Sequence, residues 1–396
     1  MTNTSNPIVL VGAGIGGLFA GLCLQRKNTD FLILEKADKL ADVGAGIQIG
    51  ANGARLIHEL GLTEEFEKYA LAPLYGLMMD GISGRQICTY PLSAFAQEEH
   101  SFPHYQILRS DLQRILVDAL QARAPEKLHL AAEVLDIKQE QGFVQLKTRD
   151  GRIFQGKAVV GCDGIHSTVR KQCFDETDPK FTNCIAWRAL VPTSELEMDY
   201  PMVPRIWIGP GRHLVQYPVS SGKSINLVAC VESSTAQHER WQGSSSVEEL
   251  NQSFSTGCTA VQDLVSKADQ ALSWGLYERP VLESWTKGCI TLLGDAAHAM
   301  LPSMAQGAVM AMEDAYQLAE SIAALSDLEN ALKDYESKRF KRCRKTQVVA
   351  RKNMAFFHQK GALNKVSAKA LNLAGAQSEK LIGRRYGWLY GYEGVT

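Results

Sequence analysis

Hydrophobic residues at the start of this chain fall into short continuous runs separated by a glycine-rich turn. The apolar run Ile8 to Val11 is followed by GAGIGG and then by a second apolar stretch, Leu18 to Leu24. This order predicts a buried strand, a tight turn and a helix, and the run Phe31 to Leu34 predicts a second strand. The chain therefore opens with a βαβ unit, which implies a parallel sheet with a right-handed crossover.

Helix-like and strand-like segments continue through the first half of the chain. Helical spacing covers Asn52 to Leu60 and Thr63 to Ala70, and strand-like text returns at Leu130 to Ile137, Phe143 to Thr148 and Lys157 to Val160. Helices and strands that keep alternating in this way are typical of an α/β architecture. We therefore expect these segments to extend the same layered domain.

A different pattern begins near Phe181 and runs to Glu232. Polar and apolar residues alternate in IAWRALVP, RIWIG, HLVQYPV and INLVACVE, which predicts an antiparallel sheet. A helical pattern resumes at Val247 to Ala271, and CITLLGDAAH again predicts a strand followed by a turn and a helix. The prediction is an α/β protein in which a sheet domain is inserted into a discontinuous Rossmann-like domain. The expected boundaries are 1–75, 105–180 and 285–365 for the Rossmann-like domain, 76–104 and 181–284 for the antiparallel sheet, and 366–396 for a C-terminal helical tail.

Composition narrows the class without changing this picture. The 396 residues are 45% hydrophobic and 21% charged, which excludes wholesale disorder, a coiled coil and a collagen-like fibre. A formal charge of −1 supplies no overall field for nucleic acid or an anionic membrane. The uncharged stretch Pro7 to Leu24 is too rich in glycine for a membrane span. The nine cysteines form no CxxC pair, so we expect reduced thiols in a cytoplasmic protein.

The glycine-rich turn carries the first chemical signal. Gly12, Gly14 and Gly17 form GxGxxG between strand and helix, and Glu35 ends the second strand. In such a turn the first glycine permits the bend, the second lets the backbone approach a pyrophosphate, and the third allows close helix packing. The helix N-terminus then attracts phosphate and the acidic residue accepts from ribose hydroxyls. The segment therefore predicts a dinucleotide site that uses Gly12, Gly14, Gly17 and Glu35.

Other candidate motifs are weak or absent. His100 and His104 have helical metal-ligand spacing, but Pro103 lies between them, and no HExxH or GxSxG occurs, so no metal site is predicted. Six cations fall within residues 338–345. A solvated helix face is the favoured interpretation of this basic segment, because Asp334 and Glu336 precede it, with a nucleic-acid or membrane-surface partner as the alternative.

Two further segments resemble fingerprints of the flavoprotein hydroxylases: GCDGIHSTVR at 161–170 and GDAAH at 294–298. The chain as a whole is similar to single-component FAD monooxygenases of the salicylate 1-monooxygenase, 3-hydroxybenzoate 6-hydroxylase and 6-hydroxynicotinate 3-monooxygenase group. The supporting segments are GAGIQIGANG at 44–53, YQILR at 105–109, AWRALVP at 186–192, GPGRHLVQYPV at 209–219 and MAQGA at 304–308.

This resemblance implies FAD as the cofactor, with NADH or NADPH as a transient co-substrate. In the family the Asp of GDAAH binds the FAD ribose, a role that falls to Asp295, and the loop before the following helix lies beside the flavin ring. The alternative to a cofactor contact for Asp163 is that its side chain only fixes its own loop. Besides the fingerprint residues, the implied FAD contacts are Ile15, Lys36, Gln48, Arg109, Val134, Asp163, Asp295, Gly307 and Ala308.

The family resemblance also implies a base for the substrate phenol. His213, Val215 and Tyr217 share one face of the alternating strand HLVQYPV. Members that resemble this sequence use a histidine at this place, near a tyrosine, to deprotonate the phenol, and a packed strand histidine is the alternative. The expected catalytic residues are His213, Tyr217 and Gln306, and the expected substrate contacts are Ile47, Tyr105, Ile206, Trp207, Pro302 and Met304. The alternative for three of these residues is that they only line the cavity: Tyr105, Tyr217 and Gln306.

The function implied by the resemblance is hydroxylation of a small hydroxylated aromatic acid through a flavin C4a-hydroperoxide. Salicylate stands slightly ahead of 3-hydroxybenzoate and 6-hydroxynicotinate, and the protein is expected as a monomer or homodimer without a nucleic-acid partner. An FAD-dependent oxidase or dehydrogenase is the second hypothesis, because the same FAD fingerprints serve both. A non-enzymatic flavin-binding protein that uses the basic segment is the third.

Overall fold

A computed structural model describes residues 6–40, 45–93, 102–197, 200–234, 244–245, 247–360, 383 and 385–392. The strands are β1 (Ile8–Val11), β2 (Phe31–Leu34), β3 (Gly46–Ile49), β4 (Tyr75–Asp80), β5 (Gln86–Pro91), β6 (Tyr105–Leu108), β7 (Leu128–His129), β8 (Val134–Glu140), β9 (Phe143–Thr148), β10 (Ile153–Gly156), β11 (Ala158–Gly161), β12 (Lys180–Pro192), β13 (Arg205–Gly209), β14 (Arg212–Val219), β15 (Ser224–Glu232), β16 (Ser244–Ser245), β17 (Ala271–Glu278), β18 (Thr286–Lys287) and β19 (Ile290–Leu292). The helices are α1 (Ile15–Arg26), α2 (Ala51–Glu59), α3 (Thr63–Glu67), α4 (Arg109–Arg123), α5 (Thr168–Cys173), α6 (Val247–Ser253), α7 (Thr259–Ser266), α8 (Asp295–His298), α9 (Gly307–Ala324) and α10 (Leu328–Phe357).

The first layer is a six-stranded sheet in the order β18-β19-β11-β1-β2-β7. It is parallel except for the edge pair β18 and β19. All four residues of β1 are buried, as its continuous apolar run predicts for a strand covered on both faces. Helix α1 packs closely on this sheet because Gly17 leaves no room for a side chain: a Cβ there would lie 1.9 Å from the Gly12 carbonyl oxygen. The predicted βαβ unit is therefore present.

The second layer is an eight-stranded sheet in the order β16-β17-β12-β15-β14-β13-β4-β5. Strands β4 and β5 come from the early segment and join the later alternating strands in one sheet. The sheet was predicted to be antiparallel, but β4 runs parallel to β13, because the early segment enters the sheet from the other domain. The short antiparallel pair β3 and β6 and the three-stranded sheet β10-β9-β8 complete the strands that the structure describes.

Two adjacent carboxylates of α9, Glu313 and Asp314, lie fully buried between the elements of the first layer. Asp314 accepts hydrogen bonds from the Gly294 N–H at 3.0 Å and from Arg339 Nε at 2.8 Å. Glu313 accepts from Asn52 Nδ2 at 2.7 Å and pairs with the Arg339 guanidinium at 2.6 Å. These contacts tie α9 to α2, to α10 and to the turn before α8.

The basic segment 338–345 divides between this buried charge cluster and the surface. Arg339 and Arg342 are buried, whereas Lys338 and Lys341 are exposed. Arg342 donates from Nε and Nη2 to Glu313 at 2.7 Å each. The interpretation as a solvated helix face is therefore wrong for Arg339 and Arg342, because the sequence gives no sign that α9 buries two carboxylates against this helix.

The segment after α10 is described only at residues 383 and 385–392, so most of the predicted C-terminal tail lies outside the described residues. Residues 385–390 are helical. Arg342 holds this segment by donating to the carbonyl oxygens of Trp388 at 2.8 Å and Leu389 at 2.7 Å. Among the described residues, no helix combines the length and the apolar character that crossing a membrane requires.

The buried charge cluster predicts a large difference between two neighbouring cations. Arg339→Met should lower the free energy of unfolding by about 3–5 kcal/mol, because it leaves buried carboxylates without their partner. Lys338→Met should cost only about 0–1 kcal/mol, because the Lys338 side chain is 48% exposed and its pair with Asp334 is screened by water. Urea unfolding of both variants checks this, and equal losses would contradict the assignment.

Candidate active site

A cavity of about 790 Å³ lies between the two layers. This volume suits a cofactor ring together with a small ligand. Residues from the glycine-rich turn, β3, the second sheet, the loop before α9 and the C-terminal segment all line it. The residues of the sequence prediction that line it are Gly14, Ile15, Ile47, Gln48, Arg109, Ile206, His213, Tyr217, Asp295, Pro302, Met304, Gln306, Gly307 and Ala308.

The glycines of the first turn are arranged as a phosphate site requires. Gly12 has φ +107°, a conformation that favours glycine. Gly14 is the N-cap of α1 and lines the cavity, and a Cβ placed on it would meet no protein atom within 4 Å. The space in front of Gly14 is thus left to a ligand, and the first N–H groups of α1 face it with the positive end of the helix dipole.

Glu35 supports this turn from the side. Its two carboxylate oxygens accept from the backbone N–H of Ala13 at 2.7 Å and of Ala37 at 2.9 Å. A carboxylate has further lone pairs, so these bonds leave it able to accept from a ribose hydroxyl. Glu35 itself, the exposed Lys36 and the buried Val134 are not among the described residues that line the cavity.

The Asp163 carboxylate is hydrogen-bonded to residues that follow it closely in the chain. Its carboxylate accepts from the Ser167 hydroxyl at 2.5 Å and from the N–H groups of Thr168 at 2.7 Å and Val169 at 3.2 Å. Burial raises the pKa of Asp163, and these hydrogen bonds oppose the rise. The contacts hold the start of α5, which favours the alternative that Asp163 fixes its own loop, while its neighbours Cys162 and Gly164 line the cavity.

Arg109 and Asp295 supply charged groups to the cavity. Arg109 begins α4 and its backbone N–H donates to the Ala45 carbonyl at 2.7 Å, which joins α4 to the segment before β3. Burial lowers the pKa of Arg109, and the nearby Asp295 opposes this effect. Gly307 and Ala308 form the N-terminus of α9, so a second set of helix N–H groups also faces the cavity. Two helix N-termini, Arg109 and Asp295 fit a dinucleotide with both phosphate and ribose groups.

The second sheet supplies the opposite wall. The strand register aligns five side chains in one row across five strands, and all five line the cavity: Arg188, Val228, Val215, Ile206 and Met78. His213 and Tyr217 flank Val215 on the same face of β14, as the alternation predicts. Most of this row is therefore apolar, with Arg188 at one end and Met78 at the other, and His213 and Tyr217 flank its middle.

Two predicted substrate contacts point elsewhere. Trp207 lies next to Ile206 on β13, and alternation turns it into the core on the far side of the sheet, where its Nε1 donates to Gln216 at 2.7 Å. Tyr105 packs edge-on against Phe66 at 5.1 Å, and its hydroxyl donates to Glu67. Neither residue is among the described residues that line the cavity.

His213 is 2% exposed and contacts a second histidine. Its Nδ1 lies 2.7 Å from Nε2 of His358, which caps the C-terminus of α10. Burial, and after it the neighbouring His358, holds the pKa of His213 well below its usual value. A neutral imidazole on the cavity wall can accept a proton, so the geometry suits a general base.

Gln306 and Tyr217 occupy opposite sides of the same space. Gln306 is the N-cap of α9, and its Oε1 accepts from Asn52 Nδ2 at 3.1 Å. Burial raises the pKa of Tyr217, so its phenol stays protonated at neutral pH and can donate a hydrogen bond. Gly46 allows β3 to pass close to this tyrosine, because a Cβ there would lie 2.7 Å from the Tyr217 ring.

The wall residues that sequence reasoning missed include Arg188, Tyr386 and Tyr390. Arg188 alternates with the core residues Trp187 and Ala189, so a charged residue inside an apolar strand was the available signal. Burial lowers the pKa of Arg188, and its guanidinium stacks on Trp274 at 4.8 Å. Tyr386 and Tyr390 come from the C-terminal segment, and nothing in their local sequence indicates that Arg342 draws that segment to the cavity.

Comparison with known proteins identifies relatives of this fold. The chain is 34% identical over 393 residues to 3-hydroxybenzoate 6-hydroxylase 1 of Aquipseudomonas alcaligenes, with 98% of each chain covered. It is 32% identical to 3-amino-4-hydroxybenzoate 2-monooxygenase PtmB3 of Streptomyces platensis, covering 99% of this chain and 98% of that one.

Solved structures share the architecture at lower identity. A single-substitution variant of Klebsiella pneumoniae HpxO complexed with FAD has a TM-score of 0.86 and 22% identity, covering 98% of this chain and 99% of that one. A salicylate hydroxylase substrate complex has a TM-score of 0.80 and 22% identity, covering 99% and 97%. The FAD binding domain family matches residues 5–351. This chain therefore belongs to the FAD binding domain family, and FAD is its cofactor.

Proposed function

We propose that this protein is an NAD(P)H-dependent hydroxylase of a small hydroxylated aromatic acid. The observation that carries the proposal is that one cavity is lined both by Gly14 of the dinucleotide turn and by His213 and Tyr217 of the second sheet. A cofactor bound at the turn and an aromatic ring bound at the sheet would therefore share one enclosed space. The curated relatives of similar length, named for hydroxybenzoate and aminohydroxybenzoate oxygenation, support the same class.

FAD, when bound, supplies the redox chemistry, taking electrons from NAD(P)H and activating dioxygen. The residues that would hold it are the fingerprint glycines, the Arg109 and Asp295 pair and the N-terminus of α9. The chain's own task beside the flavin is to exclude water, and Val215, Val228 and Ile206 supply an apolar wall for this. The nine cysteines are all free thiols, which supports a reducing cytoplasmic compartment.

His213 would act on the substrate hydroxyl. A phenol with a pKa near 10 is a weak nucleophile while protonated, and a neutral imidazole is the side chain suited to take its proton at neutral pH. The buried Tyr217, four residues further along the strand and on the same face, would donate a hydrogen bond to the substrate.

Arg188 would hold the carboxylate. It lies on β12, two strands from His213 on β14, and strands about 4.8 Å apart place their backbones about 10 Å from each other. A benzoate ring with a carboxylate at one end and a hydroxyl at the other fits between two side chains that extend into this gap. The low exposure of this wall strengthens the attraction between guanidinium and carboxylate.

Among the acids, 3-hydroxybenzoate becomes the first choice and salicylate the second. The relative named for 3-hydroxybenzoate is 34% identical over nearly the whole chain, whereas the solved salicylate hydroxylase is 22% identical and supports the fold alone. Arg188 and His213, which are two strands apart on the wall, also suit a hydroxyl that is not adjacent to the carboxylate. A hydroxyl and a carboxylate in ortho positions would lie side by side and would not span this separation.

The reaction product tests this assignment. With 3-hydroxybenzoate, NADH or NADPH and O₂, we expect gentisate, which keeps the carboxylate, with one atom of labelled O₂ recovered in the product. Salicylate attacked at the carboxylated carbon would instead give catechol and CO₂. Mass spectrometry of the products decides between them. Stimulation of NAD(P)H oxidation by a bulky polycyclic compound, with no response to any of the small acids, would overturn the substrate class.

Replacing Arg188 tests the carboxylate anchor. Arg188→Met should raise the KM for 3-hydroxybenzoate by about 10- to 100-fold, the range of a charged hydrogen bond, but should leave the weak use of 3-hydroxybenzyl alcohol unchanged. Arg205→Met is the matched control, because Arg205 lies on β13 of the same sheet and stacks on Tyr200 at 5.3 Å. An equal rise in KM for the acid and the alcohol would refute an anchoring role.

The open space at Gly14 predicts a variant that folds but loses cofactor. Gly14→Val should weaken FAD affinity by about 10- to 100-fold, because its side chain enters the ligand space. The thermal midpoint of the apoprotein should change little, since a Cβ there meets no protein atom within 4 Å. Gly17→Ala is the contrasting variant and should destabilise the apoprotein itself. Flavin fluorescence titration together with thermal unfolding separates the two effects.

A further inference from the structure

We propose that His358 and Glu232 form a proton relay that carries the substrate's phenolic proton from His213 to the protein surface. This inference rests on the proposed function, because it concerns the fate of the proton that His213 accepts. It assigns a task to two residues that lie outside the cavity wall. Both act through His213, so they are relay residues and not catalytic ones.

The geometry of the relay starts at the cavity. His213 faces the cavity, and its Nδ1 is 2.7 Å from Nε2 of His358, so its Nε2 remains for a ligand. His358 Nδ1 is 3.6 Å from Glu232 Oε1. The Glu232 side chain is 43% exposed, whereas His358 is only 6% exposed. The three residues therefore span the distance from an enclosed cavity to solvent.

The backbone around the relay is closely connected. The Gly211 N–H donates to the His358 carbonyl at 3.1 Å, and the Glu232 N–H donates to the Gly211 carbonyl at 2.9 Å. Gly211 has φ +69°, and a Cβ on it would lie 3.3 Å from Glu232 Oε2. The start of β14, the end of β15 and the end of α10 are thus joined at the place where the three side chains meet. These backbone hydrogen bonds hold the three segments together and add no titratable group to the path.

The need for an outlet follows from the properties of His213. Burial keeps its pKa well below the ordinary 6.5 of histidine, whereas an ordinary phenol has a pKa of about 10. His213 can accept the proton but is a poor site to keep it. If the proton moves on to water, bulk pH and not the imidazole sets the ionisation of the bound phenol. With an isolated buried histidine, the low pKa of the imidazole would instead limit the ionisation of the bound phenol.

The transfer is balanced in protons and needs no other reactant. His213 gains a proton at Nε2 and gives one from Nδ1 to Nε2 of His358. Rotation of the half-exposed Glu232 side chain closes the 3.6 Å gap to His358 Nδ1, which then gives its proton to the Glu232 carboxylate. Glu232 then exchanges its proton with water. The reverse sequence returns a proton to the product hydroxyl and restores both imidazoles to their starting tautomers.

The charged groups that face the relay agree with this direction. Burial lowers the pKa of His358, and Glu232 opposes this while Lys360 adds to it. Lys360 binds the other oxygen of Glu232 through Nζ and lies at the solvent end. Cys230 lies opposite His213 in the register of β14 and β15, and Phe357 packs on the His213 ring at 5.1 Å. Arg212 donates to the Ser253 carbonyl, away from the imidazoles.

The test measures ionisation of bound substrate in the absence of NAD(P)H. FAD-loaded protein with 3-hydroxybenzoate is mixed rapidly from about pH 6 to about pH 9, and the ultraviolet change from phenol to phenolate is followed. His358→Gln should slow this phase by at least about tenfold, and Glu232→Gln should slow it less, because water can replace an exposed acceptor. Added imidazole should restore part of the rate in His358→Ala.

Matched controls separate the relay from a structural effect. Glu248→Gln removes an exposed carboxylate elsewhere and should leave the rate unchanged. The His358 and Glu232 variants should keep the flavin content, the thermal midpoint and the NADH-dependent flavin reduction rate of the unaltered protein. An unchanged ionisation rate in His358→Gln, with normal flavin content, overturns the relay alone. If the unaltered protein binds 3-hydroxybenzoate without ionising it and hydroxylates no phenolic acid, the proposed function and the relay are both wrong.

Discussion

Two buried carboxylates organise this molecule. Glu313 and Asp314 are consecutive in α9 and fully buried, a position in which an unpaired charge would be very costly. Burial alone would raise the pKa of Asp314, but His298 and Arg339 lower it below its usual range. The cluster therefore stays ionised, and its requirement for partners fixes α2, α10 and the turn before α8 around α9.

The buried charge cluster positions the segments that form the cavity. Asp314 accepts from the Gly294 N–H, which positions the turn that carries Asp295, and α9 begins at Gly307 on the same wall. Arg342 bonds Glu313 on one side and the carbonyls near Trp388 on the other, so the C-terminal segment is drawn over the site. Cys343 lies with His298 and Asp314 within 4.8 Å, but the Arg339 cation already occupies the Asp314 carboxylate, so the group is an ion-pair core.

The second sheet adds the chemistry that the first layer lacks. The first layer offers helix N-termini, which bind phosphate but move no protons. The second offers His213, which contacts His358, and Arg188 at one end of a mostly apolar row. The two layers meet through β3 and β6, where the N–H of Arg109 bonds the carbonyl of Ala45. Cofactor and substrate regions are thus joined by a backbone connection as well as by packing.

Local sequence determined the parts of this protein whose physics is local. GxGxxG with Glu35 specified the first turn, because glycine conformation and strand length depend on near neighbours, and alternation in HLVQYPV placed His213 and Tyr217 on one face. Tertiary structure decided which side chains meet the cavity, so that Trp207 and Tyr105 pack in the core while Arg188 lines the cavity wall. It also decided that Arg339 is buried and that His358 meets His213, 145 residues away. Buried charges and long-range contacts depend on groups that are distant in sequence, so no local pattern contains them.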